Sequence, residues 1–318
     1  MHAACSARGF TDKKASPLDI GERMMTERTL SSAAKFRELF KRELPVVAPL
    51  ALDPISARIA ESAGFKALYL GGGTLGYVKT GTEANLSLTQ MVQTGVELRA
   101  ATTLPIILDG TCGWGDPMHM HHTISMAEAA GFAAIELEDQ LIPRRAHHHI
   151  DIEHLIPAEL MVQKIREAVA ARRDPDFVII ARTNALRTDS MDEALRRAEA
   201  YKRAGADMLY VLQKQPNPED LRTIGERLDG PLFYAMLAGL GSIGMTIPEL
   251  GKLGFRIVSD GSTPFLARQK ALRLAYEALA QGLTDPTIGN DYELETRHVH
   301  KAIDLQKLLD IELRTVER

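Results

Sequence analysis

Residues 131–149 read GFAAIELEDQLIPRRAHHH. The apolar run from Phe132 to Leu137 has the composition of a strand buried on both faces in a parallel sheet. It runs into two adjacent carboxylates, Glu138 and Asp139, and a proline then opens a basic, histidine-rich loop. Acids at the carboxyl end of a buried strand, followed by a polar loop, are what a (β/α)8 barrel presents at its catalytic face.

The same unit recurs on either side: an apolar strand, a polar turn, an amphipathic helix. Strands are expected at 46–50, 67–70, 105–108, 133–137, 177–181, 208–212, 232–236 and 256–259. Helical periodicity falls between them, at 54–63, 89–101, 118–130, 157–171, 191–203, 218–228 and 246–253. Several helices close on Ala-Gly or Leu-Gly (Gly64, Gly131, Gly205, Gly254), a C-cap signal. Eight strands alternating with helices predict an α/β fold, a (β/α)8 TIM barrel, rather than a doubly wound open sheet. After residue 265 the pattern reads as two or three extra C-terminal helices, packed on the barrel or on a partner subunit. The expected organisation is a leader over residues 1–30 and one barrel domain with its helical extension over 31–318.

Composition narrows the function classes. A chain of 318 residues with 45% hydrophobic content can bury a large core. A net charge of −4 gives no nucleic-acid surface. No apolar run approaches the roughly 18–20 residues of a membrane span. The first thirty residues lack the continuous apolar stretch of a secretory signal. Two cysteines, Cys5 and Cys112, are too few for a disulfide framework, so a reducing, cytoplasmic setting is expected.

Chemistry-bearing residues gather at the expected strand ends. Asp109 ends the third strand in PIILDGTCGWG, where glycines 110, 113 and 115 let backbone approach a ligand. A carboxylate there suits Mg2+, a hard cation that keeps several waters, and Glu138 can accept hydrogen bonds from those waters. The alternative is that Asp109 caps the following turn and Glu138 pairs with a basic neighbour. Arg182 ends the fifth strand in FVIIARTNAL, placed to bind a carboxylate bidentately or to pair with Glu138 or Glu136. LYLGGG at the second strand offers backbone N–H groups to an anion, or is only a tight turn. His119, His121 and His122 follow the third strand, and His147, His148 and His149 follow the fourth. His119 and His122 can share a helix face. One loop histidine as a general acid suits a side chain that titrates near neutrality.

These segments together resemble the isocitrate lyase / phosphoenolpyruvate mutase superfamily over roughly residues 35–285. The matching pieces are VVAPLALDPISARIAESAGFKALYLGGG, PIILDGTCGWG, GFAAIELEDQLIPRR, VIIARTNAL, DEALRRAEAYKRAGADMLY and GFRIVSDGSTPFLA. The resemblance implies a barrel that binds Mg2+ (or Mn2+ in its place) and a small 2-oxo or 2-hydroxy acid at the strand ends. It implies chemistry through an enolate-like fragment held on the metal. It also implies an eighth helix exchanged between subunits and a homodimer or homotetramer. It assigns Asp109 to the metal, Glu138 to the metal's outer shell, and Arg182 to the substrate carboxylate. Tyr69, Gly71 and Gly72 fall on the segment that cradles the substrate oxygens, and Asp53 on an aspartate near the metal.

The departures bear on the reaction. The family's D-x-D-T-G-Y-G has Thr111 at its second aspartate, which removes a negative charge beside the metal. The lyase loop K-R/K-C-G-H reads Arg144-Arg145-Ala146-His147-His148, and Ala146 cannot transfer a proton as the cysteine does. Polar positions of the lyases fall on Leu212, Met236 and Gly239, so a bulkier or more apolar substrate is expected. The phosphonate signature E-D-K…P-K-x-N-S is missing. The leading expectation is a Mg2+-dependent lyase that cleaves a C–C bond of a small 2-hydroxy carboxylic acid and releases a 2-oxo acid, with His147 or His148 as the acid. The alternatives are an oxaloacetate-like decarboxylase, a phosphonopyruvate mutase or hydrolase, or a non-catalytic carboxylate binder.

Overall fold

The computed structural model describes residues 30–150, 152–236 and 238–316. The expectation of a leader falls on residues that lie, but for the last, outside that range. From Ser32 onward the chain forms one unit. Its strands are β1 (Val46–Pro49), β2 (Leu68–Leu70), β3 (Ile106–Asp109), β4 (Ala134–Glu138), β5 (Val178–Thr183), β6 (Met208–Val211), β7 (Leu232–Met236) and β8 (Phe255–Asp260). All pair in parallel, in the order β1-β8-β7-β6-β5-β4-β3-β2. A parallel bridge between Leu50 and Tyr69 brings the last edge to the first. There the Ala51 amide donates to the Tyr69 carbonyl at 2.9 Å. This is the (β/α)8 barrel expected from the repeating unit, with each strand within two residues of its expected place.

The helices begin where local chemistry starts them. Asp53 caps Pro54–Ser62 in a reciprocal box with Ser56. Ser87 and Gln90 do the same for Leu88–Ala101, and Thr246 and Glu249 for Ile247–Lys252. The expected helix at 118–130 is shorter. It opens as a 3-10 turn, Pro117–His119, and runs as an α-helix over Met120–Ala129.

The largest local difference lies after β2. Gly71-Gly72-Gly73 is not only a turn, because a helix runs over Gly72–Val78. A Cβ on Gly76 of that helix would lie 2.5 Å from the Thr82 carbonyl carbon. The missing side chain lets the next turn, Glu83–Asn85, pack directly on the helix and carries Glu83 to the barrel mouth.

The tail forms three helices, Thr263–Ala280, Tyr292–Ala302 and Leu305–Thr315. The longest buries only Phe265 and Ala278. Among the described residues no helix is long and apolar enough to cross a membrane.

Candidate active site

Strand periodicity decides which acids meet. Side chains two apart share a face, so Glu136 and Glu138 of β4 point together. Asp139 turns the other way. It accepts hydrogen bonds from the Thr183 hydroxyl (2.7 Å), the Asn184 amide (3.0 Å), the Tyr201 hydroxyl (2.8 Å) and Arg197 (3.1 Å). The adjacent pair Glu138-Asp139 in the sequence is therefore one site acid and one structural acid. The site acid's same-face neighbour is Glu136.

Pairing register brings the other groups alongside. Asp109 stands opposite Glu136 across β3 and β4, and Glu138 opposite Arg182 across β4 and β5. Arg182 contacts Glu136 at 2.9 Å and Glu138 at 3.2 Å, and its Nε donates to Asn184 at 2.8 Å. Its guanidinium lies over the Tyr210 ring, 5.3 Å from the centroid. The Tyr69 hydroxyl donates to Glu136 at 3.2 Å. From the loop after β4, Arg144 contacts Glu138 at 2.6 Å and Glu83 at 3.1 Å.

Asp109 is held by backbone. Its Oδ2 accepts the Gly72 amide at 2.8 Å and its Oδ1 the Thr111 amide at 3.0 Å. A Cβ on Gly72 would stand 3.2 Å from Oδ2, so the glycine permits this approach. Thr111 adopts φ 46°, a left-handed conformation that is strained for a β-branched residue.

Electrostatics separate the three buried carboxyls. Burial and the charge of Glu138 push Asp109 above the usual carboxylate range. Burial raises Glu136 to about 7, with the neighbouring acids Asp109 and Glu138 adding to it against the pull of Arg182. Burial also works to raise Glu138, but the guanidinia of Arg144 and Arg182 outweigh it and hold that carboxyl low. Cys112 lies 3.8 Å from Glu138, and burial together with that charge pushes its thiol up. It stays protonated and is no thiolate nucleophile.

These groups wall a cavity of about 410 Å3 at the carboxyl ends of the strands. Tyr69, Glu83, Asp109, Arg144, His148, Arg182, Arg187 and Tyr210 are among its polar lining, and Leu212, Ala235, Phe265 and Leu266 among its apolar lining. Of the residues singled out in the sequence, Tyr69, Gly71, Asp109, Arg182 and His148 thus come together, with Gly72 and Glu138 directly behind them. Asp53 does not join them. It caps its helix, pairs with Arg268 at 2.8 Å, and borders a separate apolar groove. His147 is exposed, with its Nδ1 3.5 Å from His154, and is not on the cavity wall. His119 accepts the Asp116 amide and His121 pairs with Glu167. Met236 is fully buried and not on the cavity wall, whereas Leu212 lines it.

Sequence reading passed over Glu83, Tyr77, Tyr210 and Asn184. Glu136 carried a usable signal, the two-residue spacing to Glu138. Glu83 carried none, because a 3-10 turn and a glycine contact place it.

The donor set fits a hard divalent cation. Asp109 is a cavity-lining carboxylate fixed by two amides. Among the described residues no cationic side chain forms an ion pair with it, and burial, helped by the charge of Glu138, raises its proton affinity.

The carboxylates and the arginine converge at the carboxyl ends of the strands, where a parallel barrel carries its active site. Residues 36–280 match the family model of phosphoenolpyruvate phosphomutase. The 2,3-dimethylmalate lyase of Eubacterium barkeri is 33% identical over 289 residues, 89% of this chain and 98% of that protein. Phosphoenolpyruvate phosphomutase from Streptomyces platensis subsp. rosaceus superposes with TM-score 0.82 at 28% identity, covering 89% of this chain and 99% of that one. A phosphonopyruvate hydrolase solved with oxalate and Mg2+ superposes with TM-score 0.78 at 26% identity, covering 90% and 100%. The chain belongs to the phosphoenolpyruvate phosphomutase family, within the isocitrate lyase / phosphoenolpyruvate mutase superfamily. It is a lyase-type enzyme of that superfamily.

Proposed function

We propose that this protein is a Mg2+-dependent carbon–carbon lyase for a small 2-hydroxy dicarboxylic acid bearing alkyl substituents, from which it releases a 2-oxo acid. The observation that carries the reading is the mixed lining of the cavity. Asp109, Arg182 and Tyr69 share it with the hydrocarbon side chains Leu212, Ala235, Phe265 and Leu266. The polar groups suit a carboxylate and its adjacent oxygen, and the hydrocarbon groups suit alkyl substituents on the substrate. The named substrate of the Eubacterium barkeri relative is an acid of this kind.

Asp109 would hold the cation and Glu138 would order its waters. A bound Mg2+ supplies Lewis-acid polarisation of the substrate oxygens. Arg182, preorganised by Glu136, Glu138 and Asn184, binds the substrate carboxylate. Tyr69 orients the 2-oxygen from the neighbouring strand. In the reaction the 2-hydroxyl passes its proton to the Tyr69 oxygen as Tyr69 hands its own to Glu136, to which it is hydrogen-bonded, and the C2–C3 bond breaks. The bond's electron pair stays on the departing fragment, which must take up a proton. With Ala146 unable to give one and His147 outside the cavity, the donor is His148.

Turnover of alkyl-substituted malates and of tricarboxylates, followed by NMR with and without Mg2+, tests the reading. A 2-oxo acid plus a second carboxylate from the substituted malates is the expected result. Loss of CO2 alone from a 2-oxo acid would make the protein a decarboxylase. Tricarboxylate cleavage with no malate cleavage would overturn the assignment of the apolar lining.

A further inference from the structure

The cavity mouth holds a second ligand cluster that the reaction above does not use as a unit. Glu83, from the turn after the Gly72–Val78 helix, meets His148 and His149 of the turn Ala146–Ile150. One ligand atom from each lies within 4.8 Å of the other two. Glu83 is 6% exposed, and its Oε2 has no hydrogen-bond partner. The Nε2 of His149 is 3.6 Å from that oxygen, and the Nε2 of His148 contacts the other, Oε1.

Both imidazoles are held from behind. The Nδ1 of His148 lies 2.6 Å from the Arg145 carbonyl, which can only accept, so Nδ1 carries the hydrogen. That leaves Nε2 aimed at the Glu83 carboxylate. The Nδ1 of His149 is 3.2 Å from the Tyr77 hydroxyl, which leaves its Nε2 facing the same carboxylate. An outer nitrogen fixed by an oxygen and an inner nitrogen aimed at a shared point is how metal-ligating histidines are oriented.

We infer that Glu83, His148 and His149 form a site for a transition-metal dication of the Zn2+ type, distinct from the Asp109 site. Two histidines, one glutamate and an open position make a zinc donor set, and imidazole disfavours Mg2+. The ligands come from two segments, so an ion here ties the loop to the turn at residues 83–85 across the cavity mouth. It also occupies His148. The site acts as an inhibitory clasp, with Arg144, 3.1 Å from Glu83, opposing the ion by its charge and keeping it exchangeable.

The site stands apart from the substrate assignment; only its effect on turnover rests on that reading. The test is a Co2+ titration of the whole protein in excess Mg2+. Intense visible bands of four-coordinate Co2+ are expected. His149→Ala should weaken binding by ~10²-fold or more, since losing even an outer-shell partner costs ~10–100-fold, and Tyr77→Phe by ~10-fold. No uptake would leave a plain imidazolium–carboxylate pair and overturn the proposal. So would uptake unchanged in His149→Ala, which would point to surface histidines such as His147 and His154. Glu83→Gln should also abolish the bands. If it fails to fold by circular dichroism, His149→Ala and Tyr77→Phe decide. Zn2+ should inhibit wild type and spare His149→Ala. A Co2+ site in a protein that turns over no acid would support the metal site and sink the lyase reading. Zn2+ binding that leaves turnover intact would overturn the clasp.

Discussion

Asp109 is the residue on which the proposed chemistry turns. Two amides fix its oxygens while burial raises its proton affinity, so a cation is the natural partner for its charge. Asp109→Ala should remove the Mg2+ dependence and most of the turnover while leaving the barrel folded; full activity in that variant would end the metal assignment. Thr111 sits two residues on, in a left-handed conformation that aspartate tolerates better. Thr111→Asp adds a negative charge beside the proposed cation site. It should lower the Mg2+ concentration for half-maximal activity by about 10-fold, one pK-sized increment of ~1.4 kcal/mol. An unchanged or raised Mg2+ requirement would show that position 111 does not face the metal.

At the scale of single elements, β4 and its loop divide the work. The inner face of the strand carries Glu136 and Glu138, and its end carries Asp139 into a buried network with Arg197 and Tyr201. Asp139→Ala strands Arg197 without its buried carboxylate. It should cost about 3–5 kcal/mol in chemical denaturation, the scale for breaking a buried ion pair. A loss under 1 kcal/mol would mean that Glu193, 2.8 Å from Arg197, suffices. The loop brings Arg144 and His148 over the cavity. His148→Ala should reduce turnover by about 10²-fold with little change in substrate binding if His148 delivers the proton. Wild-type turnover would return that role to another group.

At the scale of the whole molecule, the Thr263–Ala280 helix is thinly covered among the described residues. Leu266, Leu272, Tyr276 and Leu279 all stand exposed along it, and the last two helices bury no residue. We propose that this extension packs against a second copy of the chain, as the sequence resemblance implies. Sedimentation should then give a homodimer or homotetramer; a mass of about 35.0 kDa would rule that out. Obligate subunit contacts are in general apolar and large, like a core cut in half. Leu279→Asp should accordingly shift the assembly toward monomer without changing the barrel's secondary structure.

The sequence by itself determined the barrel. Buried parallel strands are continuous apolar runs, helices carry their own caps and periodicity, and both signals are local. It also determined that Asp109, Glu138 and Arg182 stand at strand ends, because the residue that follows an apolar run is the one the barrel delivers to its mouth. Only tertiary structure decided which groups meet. Period-two geometry and cross-strand register chose Glu136 over Asp139. A missing Cβ at Gly76 let a distant turn bring Glu83 to the loop histidines. Capping and the pair with Arg268 kept Asp53 outside the cavity. These outcomes depend on contacts between residues far apart in the chain, and local composition and spacing do not encode such distances.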